Sequence, residues 1–193
     1  MEYTIQNKHN NSNNITHSSD LKFRKPILAD GYAIYQLIKS SPPLDLNSSY
    51  LYFLQASHFA DTCIVAEHNG QIIGFLSAYF QPDKPQAIFV WQVAVGESHR
   101  GQGLAKAMLN ALLKNQPEDS AMTEITCTIS PSNKASKSLF NSFAKTHRLL
   151  LQTAPFINEA HFGEENHEAE ELYILKAADN QKLIPYLSIK ETL

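Results

Sequence analysis

The chain has 193 residues, 43% of them hydrophobic, and a formal net charge of −3 at pH 7. That length fits one domain with its own core. The charge excludes a basic footprint for nucleic acid or an anionic membrane, and no apolar run approaches a membrane span. Residues 1–20 are rich in Asn, Ser, His and Thr and too poor in apolar groups to offset their ordering entropy, so a disordered tail is expected there. The domain is expected over 21–178, opening with LKFRKPI as a strand. Asp30 can cap a helix running to Ser40, with Ile34, Leu37 and Ile38 inward, and Pro42-Pro43 stops it. A second helix is predicted over Ser48–Phe59. The segment TCIVAEHNGQIIGFLSAYF reads as a hairpin around Asn69-Gly70, the pair favoured in a type I′ turn.

The apolar run IFVWQVAV then reads as a buried central strand, followed by the loop GESHRGQG and a helix ended by Pro117. Leu104, Ala107, Met108, Ala111 and Leu112 fall on one face of that helix. EITCTIS is a further strand with Ile125, Cys127 and Ile129 on one side. Pro131-Ser132-Asn133 leads into a helix carrying Leu139, Phe140 and Phe143. RLLLQTAPFI and ELYILKA close the sheet, and 179–193 form an extension. The order is β-α-α-β-β-β-α-β-α-β-β, which implies a mixed α/β domain with helices on both faces of one sheet. Cys63 and Cys127 lie inside apolar runs and read as buried thiols of a reducing, cytoplasmic protein. The N-terminus lacks the pattern of a signal peptide. The histidines fall in no HExxH or Cys/His spacing, so no metal is expected.

The strand, Gly-rich turn and helix across Ile88–Leu109 carry the chemistry. Such a turn gathers free backbone N–H groups at a positive helix end and makes an anion site, suited to phosphate or pyrophosphate. Gly101 and Gly103 allow close approach and Arg100 adds positive charge. A dinucleotide fingerprint needs a third Gly where Lys106 stands, and Gly-Lys-Ser/Thr is absent. A turn that merely caps a helix is the plainer reading. Arg100-Gly-Gln-Gly103-Leu-Ala105 fits Arg/Gln-x-x-Gly-x-Gly/Ala, and in this the chain resembles the GNAT N-acetyltransferases, whose signature holds acetyl-CoA. The resemblance implies the GNAT fold, with a central, mostly antiparallel mixed sheet. It implies cofactor contacts at Arg100, Gly101, Gln102, Gly103, Leu104 and Ala105, and at the backbone of Val93 and Val95. SPSNKASKSLF supplies the second half of that site, with Asn133 and Ser136 where the family contacts the pantetheine arm. Taken alone, Ser132 or Asn133 reads as a helix cap. Phe140 stands where the family carries a Tyr that protonates the departing thiolate.

PPLDLNSSYLY, TCIVAE, WQVAV and AHFGEENHEAEELY are together similar to one subfamily, the L-2,4-diaminobutyrate Nγ-acetyltransferases of ectoine synthesis, over about Phe23 to Lys176. That resemblance implies transfer of acetyl from acetyl-CoA to the γ-amine of diaminobutyrate. Asp45, Tyr50, Trp91, His167 and Glu170 would line the acceptor site. Each has a plainer role: Asp45 in helix initiation, Tyr50 and Trp91 in the core, His167 and Glu170 on a solvated loop. Glu170 is the expected base, since only a neutral amine can attack, although Glu171 stands beside it. Arg24 is a candidate partner for the substrate carboxylate. A backbone N–H near Val93 would stabilise the oxyanion, and a route through either cysteine is not expected. The competing readings are acetylation of another small amine or of a protein N-terminus, and a non-catalytic acyl-CoA sensor. The apolar last strands suggest a homodimer.

Overall fold

The computed structural model describes residues 21–164 and 167–184. The tail expected over 1–20 lies outside them, as does the extension beyond 184. Seven strands form one sheet: β1 Leu21–Arg24, β2 Ile64–His68, β3 Gln71–Gln81, β4 Lys84–Val95, β5 Glu124–Ile129, β6 Leu150–Ile157 and β7 Glu170–Lys176. Their spatial order is β1-β2-β3-β4-β5-β7-β6. Every pair is antiparallel except β4 with β5. Four helices accompany the sheet: α1 Gly31–Lys39, α2 Ser49–Gln55, α3 Leu104–Lys114 and α4 Lys134–His147. The strand and helix order is the expected one.

Alternation along the strands gives the sheet two apolar faces. One buries Val65, Phe75 and Ala94 against Ile34 and Ile38 of α1 and Tyr52 of α2. The other buries Ile64, Leu76, Ile125, Cys127 and Leu175 against Met108 and Leu112 of α3 and Phe143 of α4. Both cysteines are free and buried, and burial pushes the Cys63 thiol up to about 12. The turn between β2 and β3 has positive φ at both Asn69 and Gly70, the type I′ geometry the dipeptide predicts.

Local chemistry shifts several expected details. The Asp30 side chain does not cap α1. Its carboxylate instead accepts from the Ile27 amide and from Arg24, which also reaches Glu67. Arg24 is thereby committed on the β1 edge of the sheet and is no partner for a substrate carboxylate. Helix α2 stops at Gln55, short of Phe59, because the Ser57 hydroxyl bonds the Phe53 and Leu54 carbonyls and draws the chain out of the helix. The buried stripe of α3 is Leu104, Met108, Leu109, Leu112 and Leu113, with Ala107 and Ala111 only half-buried. The two extra leucines carry more apolar area than the alanines and turn the helix toward themselves. Past Ala178 the chain still contributes to the core: Leu183 is fully buried and its amide donates to the Met122 carbonyl. Among the described residues, no helix is long and apolar enough to cross a membrane.

Candidate active site

Strands β4 and β5 pair only at Ala87–Phe89 with Glu124–Thr126. Beyond Phe89 the two strands part. On its other side β4 stays paired to β3, with Val93 opposite Leu76 and Val95 opposite Gly74. The Gly96 amide donates to Ile73. In an antiparallel ladder alternate residues bond the same neighbour, so the N–H and C=O of Val93 and Val95 turn away from β3 and into the wedge. The Val95 carbonyl already accepts from Nε of Arg100 at 3.1 Å.

The wedge leads to the start of α3. Gly101 and Gly103 have φ of +74° and +79°, a region costly for residues with a Cβ, and a Cβ on either would meet no atom within 4 Å. No side chain caps α3 at Gly103, so the first amides of the helix, at Leu104 and Ala105, have no intrahelical acceptor. Gln102 bends back to the Ser98 carbonyl, while the Leu104 side chain is buried beneath the turn. The nest is therefore open, positive and backed by core. Across the wedge Asn133 does cap α4, its Oδ1 accepting from the Ser136 amide at 3.0 Å.

A polar cluster lies on the opposite lip. Ile125, Cys127 and Ile129 face α3 and α4, so Thr126 and Thr128 face the other way. On β7, Tyr173 and Leu175 join that same core, which puts Glu171 on the α4 side, 3.8 Å from Lys137. Glu170 then lies on the far face, near Thr128, whose hydroxyl draws its carboxyl down. His167 stacks on Phe162 with ring centroids 4.0 Å apart. Its Nδ1 donates to the Glu168 carbonyl and its Nε2 lies 3.8 Å from the Asp45 carboxylate. Glu168 fastens this loop by accepting from the Ser132 amide. Trp91 is 47% exposed, stands edge-on to Tyr79, and lines a cavity of about 230 Å³ beneath α2. It is not core filler. Nor is Tyr50, which is 69% exposed; Tyr52 takes the buried place, its hydroxyl accepting from the Asn47 amide.

Residues 31–144 match the Acetyltransferase (GNAT) family. The L-2,4-diaminobutyric acid acetyltransferase of Streptomyces anulatus is 43% identical over 157 residues, 81% of this chain and 89% of that protein. That of Vibrio parahaemolyticus is 44% identical over 152 residues, 78% of this chain and 83% of the relative. The chain belongs to the L-2,4-diaminobutyric acid acetyltransferases of the GNAT family. A solved structure of the diaminobutyrate acetyltransferase EctA from Paenibacillus lautus, in complex with its substrate L-2,4-diaminobutyric acid and coenzyme A, superposes with a TM-score of 0.78 at 41% identity. The match covers 82% of this chain and 96% of that one.

In this diaminobutyrate acetyltransferase, Thr128 and Gln92 are polar residues that the sequence reading passed over. Each left a signal: Thr126 and Thr128 make one face of β5 hydroxylic, and Gln92 interrupts the otherwise apolar run Ile88–Val95 of the central strand. Among the described residues, no group of three or more His, Cys, Asp or Glu could hold a metal. The two titrating groups of the cluster differ in cause. Burial pushes the Glu170 carboxyl above its ordinary value, with Asp45 and Glu168 adding to the shift and Thr128 and His167 opposing it. His167 is held above its ordinary value by its bond to the Glu168 carbonyl and by the nearby Asp45 and Glu170 carboxylates.

A raised carboxyl pKa means that folding disfavours the charged form. The cost is absent below the ordinary glutamate range and complete above the folded pKa. Glu170→Gln is therefore expected to raise the thermal midpoint near neutral pH, and the gain should vanish as the pH drops through that range. Calorimetry across pH checks this; a midpoint lowered at neutral pH would show that the fold favours the carboxylate.

Proposed function

We propose that this chain transfers the acetyl group of acetyl-CoA to the γ-amine of L-2,4-diaminobutyrate, giving Nγ-acetyl-L-2,4-diaminobutyrate for ectoine synthesis, with Glu170 as the base. The observation that carries the reading is the likeness to the Paenibacillus lautus enzyme, solved with that substrate and coenzyme A. The geometry supplies a place for each step. The open nest at Gly101, Gln102, Gly103, Leu104 and Ala105, with Arg100, suits a pyrophosphate. The outward backbone of Val93 and Val95 suits the amides of a pantetheine arm, with Asn133 and Ser136 on the facing side. Acetyl-CoA supplies the thioester.

A compact dication with one carboxylate needs an acidic pocket with an apolar wall. Asp45 and Glu170 supply the negative charge, Trp91 the wall and a π face for an ammonium, and His167 and Tyr50 the rim. Burial moves the Glu170 pKa upward toward working pH, which makes it a better base than an exposed glutamate. It takes the γ-ammonium proton, the neutral amine attacks the thioester carbonyl, and the Val93 amide stabilises the oxyanion; the nitrogen then sheds its second proton to solvent, the C–S bond breaks and CoA leaves as the thiolate, which solvent protonates. Cys127 is no rival nucleophile: burial, with the Glu170 charge beside it, holds its thiol protonated.

The reading extends to a homodimer. Among the described residues β6 ends the sheet, so half of its backbone groups lack a neighbouring strand there, and it exposes Leu150 and Phe156. Light scattering should give twice the 21.7 kDa chain mass, and Phe156→Lys should halve it; a monomeric parent chain refutes the pairing.

Two substitutions test the site. Glu170→Gln should lower kcat/KM on the order of 100-fold or more, the scale of a lost general base, in an assay that follows CoA release and identifies the product by mass spectrometry. Near-parental turnover removes Glu170 as base, and acetylation at the α-amine overturns the acceptor assignment. Arg100→Ala should raise the acetyl-CoA KM about tenfold, the scale of one charge-assisted hydrogen bond, and leave the diaminobutyrate KM little changed. The opposite pattern would place the cosubstrate elsewhere.

A further inference from the structure

Strand β4 carries one side chain that neither packing nor the chemistry above uses. Gln92 is buried, 6% exposed, in the middle of the central strand. It sits at a β-bulge: Ser77 opposes Gln92 while Ala78 opposes Val90, which leaves Trp91 without a partner. The bulge turns Trp91 and Gln92 toward the same side of the sheet, and the Gln92 amide N–H donates to the Ser77 hydroxyl at 3.2 Å. At its tip Nε2 donates to the Asp45 carbonyl at 2.7 Å. A carbonyl only accepts, so this end of the amide is its NH₂. The Oε1 of Gln92 is buried and finds no partner among the described residues.

A buried acceptor without a donor is a net cost to folding. Half-satisfied, Gln92 is a poor choice for stability alone, and its single side-chain bond ends on the loop between α1 and α2. We propose that Gln92 is a positioning residue: it pins the Asp45 carbonyl to the bulge beside Trp91 and so fixes the Asp45 carboxylate against His167, setting affinity for the diamine. The inference rests on the reading of Asp45 as a substrate contact. Without the pin, Asp45 has an 82% exposed side chain whose ion-pair contact among the described residues is His167 at 3.8 Å, too weak to keep it in place.

The test is a double-mutant cycle with Gln92→Met and Asp45→Asn in the full chain, read as the KM for diaminobutyrate, the KM for acetyl-CoA and the thermal midpoint. Gln92→Met should raise the diaminobutyrate KM about tenfold or more, as a small misplacement of a binding group does. The acetyl-CoA KM and the thermal midpoint should hold or improve, since an orphan acceptor is gone. Gln92→Glu, which sets an acceptor against the Asp45 carbonyl, should raise the same KM further. On the Asp45→Asn background, Gln92→Met should add little, because the two act through one group. If Asp45→Asn raises the diaminobutyrate KM but Gln92→Met does not, this inference falls while the Asp45 reading stands. Fully additive effects also overturn it, as does a lowered midpoint with both KM values raised, the mark of a purely structural role. If Asp45→Asn itself leaves the diaminobutyrate KM unchanged, the Asp45 reading falls and the inference falls with it.

Discussion

Strands β4 and β5 share three paired residues, Ala87–Phe89 with Glu124–Thr126, and the site is arranged around the place where they part. A parallel pair that stayed zipped to Val95 would consume the backbone groups of Val93 and Val95 and close the path to the start of α3. Because it opens, a strand in the middle of the sheet acquires an edge. Such an edge is a liability when exposed and a binding surface when its partner is an extended chain of amides. The bulge at Trp91 and Gln92 falls just past the last paired residue, where added twist carries β4 away from β5. One local irregularity thus opens the wedge and brings Trp91 and Gln92 to one side of the sheet.

The acids around that opening are not equivalent, and their partners sort them. Glu171 looks toward Lys137 and Glu168 is engaged by the Ser132 amide, which draws its carboxyl below the ordinary value. Both are occupied with holding α4 and the loop before β7. Glu170 sits partly buried, with the Asp45 and Glu168 carboxylates near it, so its affinity for a proton rises. Asp45 is the reverse, with an exposed carboxylate on a backbone tied down from below. One acid with a raised affinity for a proton, beside a second carboxylate on an anchored backbone, would suit the proposed substrate with its two ammonium groups, since one of them must be neutralised before attack.

Much of this was legible in the sequence because it depends on local patterns. Hydrophobic periodicity gave the strands, Asn69-Gly70 gave the hairpin, and the spacing from Arg100 to Ala105 gave a nest whose two glycines have positive φ. What was missed depends on pairing between distant segments. Asp30 is as good a cap as any aspartate until Arg24 folds beside it. Ser57 ends α2 through bonds that compete only weakly with a helix. The choice between Glu170 and Glu171 follows from which face of β7 joins the core, and that is fixed by α4 and β5 packing on Tyr173 and Leu175. Gln92 and Thr128 acquire meaning only with Asp45 and Glu170 beside them. Their visible trace was polarity out of place in an apolar strand.

Phe140 shows where the chemical demand falls. It is 3% exposed, packed in the core under α4, and offers no proton to a departing sulfur. Tyr173, on the same side of the sheet, is pushed further from ionising by burial and by Glu171 and Cys127. The reaction can dispense with such an acid. A thiol ionises near 8.5, far below a neutral amine, so once the attacking nitrogen has lost its proton the thiolate is by far the better leaving group. While that nitrogen stays protonated, neutral amine competes with the thiolate and part of the adduct reverts. With Glu170 as the proposed base, partition toward product depends on removal of a proton on its side of the wedge and requires no donor at position 140. A large apolar residue at position 140 then strengthens the α4 core without loss to the chemistry.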